Sequence, residues 1–260
     1  MLVGPQGHRR CAQILVDLME IVRGTVWSDY PIEAKVFGSY ASGLTEKSSD
    51  LDVCLLVQDE GYSSKEVLTD LAKAFPWDKA VETSNGKFEL QQKILKARVP
   101  IIRLDYTSHQ SGETMAVEIC CNNIDARNNS LLLSDLYSWD CRAAYIYMVV
   151  KRWLRINELY GASVGYLSSY SWSILVIFWL QAKGLIPPIE HEQAWEPRAE
   201  TYVPAFGNMG TLLIGFFEFY LTWELTFEQI LFMTYNKYVC FFSKSIKNLK
   251  KIIHTISIHT

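Results

Sequence analysis

FGSYASGLTEKSSDLDVCLL, residues 37–56, decides how the first part of the chain folds. It begins at the end of a short β-like run, turns at Gly38 and Ser39, and ends in a second run of apolar and β-branched residues. Alternate side chains of a strand share a face, so Asp50 and Asp52 project together, roughly 6–7 Å apart. The segment is therefore predicted to form a strand, a tight turn and a strand that presents two carboxylates.

The apolar patterns outside this segment predict an α+β fold. Up to about residue 121 the runs alternate between helical and extended types, which indicates a small mixed or antiparallel sheet, and after Asn123 the pattern is mainly helical. The predicted elements are a helix over 11–26, strands over 34–37 and 51–57, a helix over 68–75, strands over 98–106 and 115–121, and helical patterns over 130–159, 168–183 and 210–225.

The composition excludes several classes of protein. The chain has 260 residues, of which 49% are hydrophobic and 20% charged, and this balance argues against extended disorder. Its net charge of −3 provides no overall positive field for nucleic acid, so any such contact must come from a local patch. The six cysteines form no C-x-x-C pair, and no apolar run approaches the ~20 residues of a membrane span. We expect an intracellular protein that does not enter a membrane, in the cytoplasm first, with the nucleus or mitochondrion as alternatives.

Three acidic residues are candidates for metal binding. Asp50 and Asp52 repel each other unless a cation compensates them, and oxygen ligands of this kind suit Mg²⁺. A bare D-x-D is also consistent with a solvated strand edge. Glu118, between Val117 and Ile119, is a third acid on a predicted strand. Its alternative is a glutamate at the edge of the core that pairs with Lys or Arg.

These residues resemble the DNA polymerase β-like nucleotidyltransferases, and among them the noncanonical poly(A) polymerases and terminal uridylyltransferases. Gly38-Ser39, ten intervening residues, Asp50-Leu51-Asp52 and a later acid between apolar residues match the order of the family's catalytic motif. The family usually has Asp in the third acidic position, and Glu118 is one methylene longer. Glycine at position 38 would let backbone amides approach a phosphate, and the Ser39 hydroxyl would donate to it.

The resemblance extends to nucleotide-binding positions further along the chain. It implies that Asn123 contacts the ribose 2′-hydroxyl, that Ser130 contacts a phosphate or the ribose, and that Tyr170 stacks on the base. It also assigns the triphosphate to Lys151, Arg155 and Ser169, although lysine is commoner in the family at the place of Arg155. Singly, each of these residues is also consistent with a solvated helix face, a turn or a core aromatic.

The implied function is template-independent RNA 3′-terminal nucleotidyl transfer of UMP or AMP, from UTP or ATP. The resemblance implies a two-metal mechanism, with Mg²⁺ or Mn²⁺ bound by Asp50, Asp52 and Glu118. Three domains are predicted: a nucleotidyltransferase palm over 1–125, a helical poly(A) polymerase-associated domain over 126–235, on which the N-terminal helix could pack, and a basic tail over 236–260. The RNA 3′ end is the expected partner, and the RNA is selected either by a protein partner or through its end alone.

The C-terminal tail and two other functions remain open. After Phe227 the resemblance fades, which indicates a divergent, truncated or mispredicted C-terminus, or a basic helix that contacts RNA or a partner. The choice between U and A is therefore not predicted. The alternatives are a weak or inactive relative that serves as an RNA- or protein-binding module, and a nucleotidyltransferase with an acceptor other than RNA.

Overall fold

The computed structural model describes residues 5–58, 61–159, 161, 166–186 and 208–222, and the chain divides into two compact units between Asp135 and Leu136. Within the described ranges, none of the helices combines the length and the apolar character needed to cross a bilayer. The first part contains α1 (Pro5–Arg23), β1 (Ile32–Phe37), α2 (Gly38–Ser42), β2 (Leu51–Val57), α3 (Ser64–Leu71), a 3-10 turn (Ala72–Ala74), β3 (Val81–Glu82), β4 (Gly86–Ile94), β5 (Ile101–Ser108) and β6 (Thr114–Cys121). The remaining helices are α4 (Ile124–Ser138), α5 (Cys141–Ile156), α6 (Ser169–Ala182) and α7 (Met209–Thr222).

The first unit is built on a six-stranded mixed sheet in the order β1-β2-β6-β5-β4-β3. β2 and β6 are parallel, and every other neighbouring pair is antiparallel. The α+β prediction is confirmed, but β3 and β4 were not predicted. β4 has Phe88 and Leu90 buried among polar residues, and its register shifts between Leu90 and Gln92, so its alternating pattern is too short to stand out in the sequence.

One face of this sheet is the core. Leu51, Val53 and Leu55 of β2 are buried with apolar residues of the other strands and of α3. Ile14 and Leu18 of α1 are fully buried in the same cluster, so the N-terminal helix packs in the core of the first unit. Because side chains alternate along a strand, Asp52 of β2 and Glu118 of β6 lie on the opposite face of the sheet, which is called the open face below.

A buried carboxylate ties α1 to this core. Asp17 is completely buried and accepts hydrogen bonds from Thr83 Oγ1 at 2.8 Å, Tyr106 Oη at 2.7 Å and Asn85 Nδ2 at 2.6 Å. Three donors compensate the loss of water around the charge. Asp17 therefore has a structural role that its amphipathic helix does not reveal in the sequence.

The second unit is helical, as predicted, but the helical pattern over 130–159 is two helices. α4 ends at Ser138, and Asp140 caps α5 by accepting a hydrogen bond from the Arg142 N–H at 2.9 Å. Tyr220 of α7 donates to the Leu175 carbonyl of α6 at 2.7 Å. The domain bounds at 125/126 and 235/236 stay predictions, and the tail over 236–260 lies outside the described residues.

Candidate active site

Asp52 and Glu118 lie directly opposite each other on the parallel strands β2 and β6. Neighbouring strands are about 4.8 Å apart, so the two side chains leave the same face of the sheet side by side. Asp50 is exposed and lies just before β2, two positions from Asp52. The structure thus brings Asp52 and Glu118 together on the open face, and a shared site with Asp50 stays a prediction.

Gly38 lets the backbone approach Asp52 closely. It follows Phe37, the β1 partner of Asp52, and has a φ of +65°. A Cβ atom at this position would collide with the Asp52 carboxylate. The predicted turn is the start of the short helix α2, so glycine is required both for the left-handed backbone and for the close contact.

Ser130 joins α4 to this turn. The Gly38 N–H donates to Ser130 Oγ at 2.8 Å, and that hydroxyl donates to the Ala126 carbonyl at 2.7 Å. Ser130 is buried. In this structure the hydroxyl orients the Gly38 backbone, a role that the sequence did not indicate, and its contact with phosphate or ribose stays a prediction.

Asn123 begins α4 beside the acids. Its side-chain oxygen accepts a hydrogen bond from the Ala126 N–H at 3.4 Å, and its own N–H donates to Cys54 Sγ at 3.3 Å. Cys54 and Cys120 are buried register partners, each two residues beyond an acid, and the hydrogen bond from Cys120 lowers the pKa of Cys54. The Asn123 backbone is therefore anchored to Cys54 of β2, and its contact with the ribose stays a prediction.

Glu118 is paired with an arginine. Arg103, its register partner on β5, places Nε 2.6 Å from Glu118 Oε1. In the described part of the chain, no group of three His, Cys, Asp or Glu residues is arranged to hold a metal ion. The structure thus realises the alternative that the sequence left open for Glu118, a glutamate paired with a cation.

Further charges lie on the open face of β4 and β5. Asp105 is two positions from Arg103, and partial burial, together with the charges of Glu89 and Asp50, raises its pKa. Glu89 is itself paired with Lys87, Nζ to Oε1 2.6 Å. Beside Arg103 and Glu118, this face thus carries the carboxylates Glu89 and Asp105 and the cation Lys87.

The helical unit carries the predicted triphosphate residues. Lys151 is buried, and its Nζ lies 5.9 Å from the centre of the Tyr147 ring. The Tyr147 hydroxyl donates to the Ser169 carbonyl at 3.2 Å, and Ser168 caps α6 by accepting from the Ser171 N–H at 3.1 Å. Tyr147 thus links Lys151 to the N-terminus of α6, the positive end of that helix.

The remaining predicted residues of this unit lie on the same two helices. Arg155 is partly exposed, one turn after Lys151 on α5. Tyr170 is half-buried in the first turn of α6. The nucleotide-binding roles of both residues stay predictions.

The donor chemistry of the acids fits a hard divalent cation. Asp50, Asp52 and Glu118 offer only carboxylate oxygens, which Mg²⁺ and Mn²⁺ prefer. In the structure Glu118 is paired with Arg103, so it would have to exchange the guanidinium for the cation. The residues thus fit a divalent cation in donor type, and their arrangement around one stays a prediction.

Comparison with known families identifies the palm. Residues 5–138, more than half of the chain, match the family described as poly(A) RNA polymerase, mitochondrial-like, central palm domain. The chain belongs to this family. The predicted resemblance to noncanonical poly(A) polymerases and uridylyltransferases is confirmed.

Two curated relatives illustrate the range of this poly(A) polymerase family. The terminal uridylyltransferase cid1 of Schizosaccharomyces pombe is 30% identical over 206 residues, covering 72% of this chain and 48% of the relative. The poly(A) RNA polymerase GLD2 of Bos taurus is 27% identical over 210 residues, covering 71% of this chain and 41% of the relative. The chain spans about half the length of these relatives.

A solved structure agrees with the fold. The Cid1 poly(U) polymerase, crystallised with Mg and 3′-dATP, is 26% identical with a TM-score of 0.62, and the match covers 86% of this chain and 70% of that one. The mixed sheet and the helices that follow it therefore form a nucleotidyltransferase fold of the poly(A) polymerase type.

Proposed function

We propose that the chain is a template-independent nucleotidyltransferase that adds UMP or AMP, from UTP or ATP, to RNA 3′ ends. The observation that carries this proposal is the register of Asp52 with Glu118, with Gly38 folded against Asp52. Support comes from the relatives, whose names are terminal uridylyltransferase and poly(A) RNA polymerase. None of the described residues indicates which RNA is the substrate or whether U or A is added.

The acids are proposed to hold Mg²⁺ or Mn²⁺. Asp50, Asp52 and Glu118 would be the ligands, and the bound ions would supply charge neutralisation at the 3′-hydroxyl and at the triphosphate. The Gly38 N–H is already bound to Ser130, so in this structure Gly38 acts by holding the backbone next to Asp52. We propose that close packing of the Gly38 backbone restricts the Asp52 carboxylate before substrate binds, which lowers the reorganisation needed for reaction.

The helical unit is proposed to bind the nucleotide. Lys151, Arg155, Ser169 and the N-terminus of α6 provide positive charge and hydrogen-bond donors for the triphosphate. Tyr170 offers an aromatic ring for base stacking. Because the net charge of −3 supplies little attraction for RNA, we propose that a protein partner selects the RNA. The location inside the cell, with the cytoplasm favoured, stays a prediction.

Lys151→Met is expected to weaken nucleotide binding. Methionine retains most of the buried side-chain volume and removes the charge, so KM for the nucleotide should rise roughly 30-fold or more, the equivalent of about 2 kcal/mol. Arg152→Met is the matched control, because Arg152 is the exposed neighbour of Lys151 on α5. Steady-state kinetics with RNA and varied nucleotide measure both. Equal KM values for the two variants would contradict the role of Lys151.

Asn123→Ser is expected to reduce the preference for ribonucleotides about tenfold, because the shorter side chain no longer reaches the 2′-hydroxyl. Serine caps a helix nearly as well as asparagine, so α4 keeps its first turn. The measurement is the ratio of kcat/KM for ATP and dATP, or for UTP and dUTP. An unchanged ratio would remove Asn123 from sugar recognition.

The proposed function is tested by incubating the purified chain with labelled RNA, Mg²⁺ or Mn²⁺, and each nucleoside triphosphate separately. Ladders of extended RNA with one nucleotide would support the proposal and establish the base preference. If no RNA is extended with any nucleotide or ion, the activity is absent, and the chain is then a binding module or acts on another acceptor.

A further inference from the structure

The proposed function assigns Glu118 to a metal ion but gives no role to its ion-pair partner, Arg103. Nε of Arg103 lies 2.6 Å from Oε1 of Glu118, and the two residues are register partners on β5 and β6. We infer that Arg103 is a positioning residue that neutralises Glu118 until a divalent cation displaces it. The inference rests on the proposed function, because it concerns the same acids.

The sheet fixes the position of Glu118 relative to two neighbouring side chains, because β6 is hydrogen-bonded to β2 on one side and to β5 on the other. Glu118 lies between β2 and β5 in the sheet, with Asp52 on one side and Arg103 on the other. Its side chain is 20% exposed, whereas that of Arg103 is 48% exposed. The carboxylate therefore stays near both neighbours, while the guanidinium has a path into solvent.

The longer side chain of Glu118 suits this exchange. The extra methylene, compared with aspartate, lets the carboxylate turn either toward Arg103 or toward Asp52. Without a cation, Asp52 and Glu118 repel each other, and the guanidinium relieves this repulsion. With a cation near Asp52, the guanidinium and the cation repel each other and compete for the same carboxylate.

This competition has a measurable cost. A unit positive charge about 5 Å from a divalent ion weakens ion binding by about tenfold, even at the dielectric constant of water. Removing the charge of Arg103 should therefore strengthen cation binding. A residue that only stabilised β5 and β6 would change the unfolding temperature and leave the affinity for the ion unaltered.

The chain offers a matched control on the same face. Lys87 forms an ion pair of the same length with Glu89, Nζ to Oε1 2.6 Å, in β4. Lys87→Gln removes one positive charge from this face and leaves Glu118 paired with Arg103. It therefore reports the general effect of charge on cation binding.

The experiment is a Mn²⁺ titration of the full chain without RNA or nucleotide, with free Mn²⁺ followed by electron paramagnetic resonance. We expect Arg103→Gln to bind Mn²⁺ about tenfold more tightly than the unsubstituted chain, and Lys87→Gln to bind as the unsubstituted chain does. Arg103→Met retains a long side chain without charge and gives the same comparison if Arg103→Gln does not fold. Circular dichroism verifies folding of each variant.

Two results would overturn the inference alone: equal or weaker binding in the Arg103 variants, or an equal gain in Lys87→Gln. If in either case Asp52→Asn no longer binds Mn²⁺, the proposed metal site is still supported. Absence of Mn²⁺ binding in every form would overturn this inference together with the metal site of the proposed function. Extension of RNA in a separate assay would then show whether the activity itself survives.

Discussion

Asp52→Asn is expected to abolish nucleotide addition, with a loss of about 1000-fold or more in kcat. Asparagine has nearly the shape of aspartate, so the contact with Gly38 and the pairing of β2 with β6 are retained. What is lost is the negative charge that the proposed reaction requires opposite Glu118. The measurement is single-turnover extension of labelled RNA, with thermal unfolding to verify the fold.

Glu89→Gln is the matched control for Asp52→Asn. Glu89 lies in β4, its charge is among those that raise the pKa of Asp105, and its partner is Lys87. An exposed ion pair of this kind contributes about 0–1 kcal/mol, so the variant should keep normal activity and stability. If Asp52→Asn extended RNA as fast as Glu89→Gln, the carboxylate of Asp52 would have no part in the reaction.

Gly38→Ala is expected to lose nucleotide addition about 100-fold or more, because the new methyl group pushes the Asp52 carboxylate out of place. It also places a non-glycine residue at a φ of +65°, which costs about 1–2 kcal/mol of folding free energy. The stability loss alone would not explain the loss of activity at a temperature where the variant is folded. Chemical denaturation and RNA extension, measured on the same preparation, separate the two effects.

Gly112→Ala measures the folding free energy lost by placing alanine at a positive φ where its methyl group meets no other atom. Gly112 has a φ of +67°, nearly that of Gly38, and no atom lies within 4 Å of the position that its Cβ would take. Gly112→Ala should therefore lower the free energy of unfolding by about as much as backbone strain does in Gly38→Ala. It should keep full activity. Comparable activities in the two alanine variants would show that the contact between Gly38 and Asp52 is not required.

The fold class and the strand positions of Asp52 and Glu118 were predictable from local pattern. Period-two alternation along β2 was sufficient to place Asp52 on the face opposite Leu51 and Val53, whereas Asp50 lies just before the strand and its shared face with Asp52 stays a prediction. Lys151 and Arg155 share a helix face because residues four positions apart are neighbours on a helix surface. β4 was not predicted because its bulge shifts the register and because few of its residues are apolar.

The sequence by itself determined which chemical groups are present: carboxylates on strands, a glycine before them, and cations and hydroxyls on the later helices. Only the tertiary structure decided their partners. Arg103 meets Glu118 through the register of β5 and β6, Ser130 reaches Gly38 across 92 residues, and Asp17 meets Tyr106 across 89. Strand register and long-range hydrogen bonds depend on how the whole core packs, and no local pattern of residues encodes them.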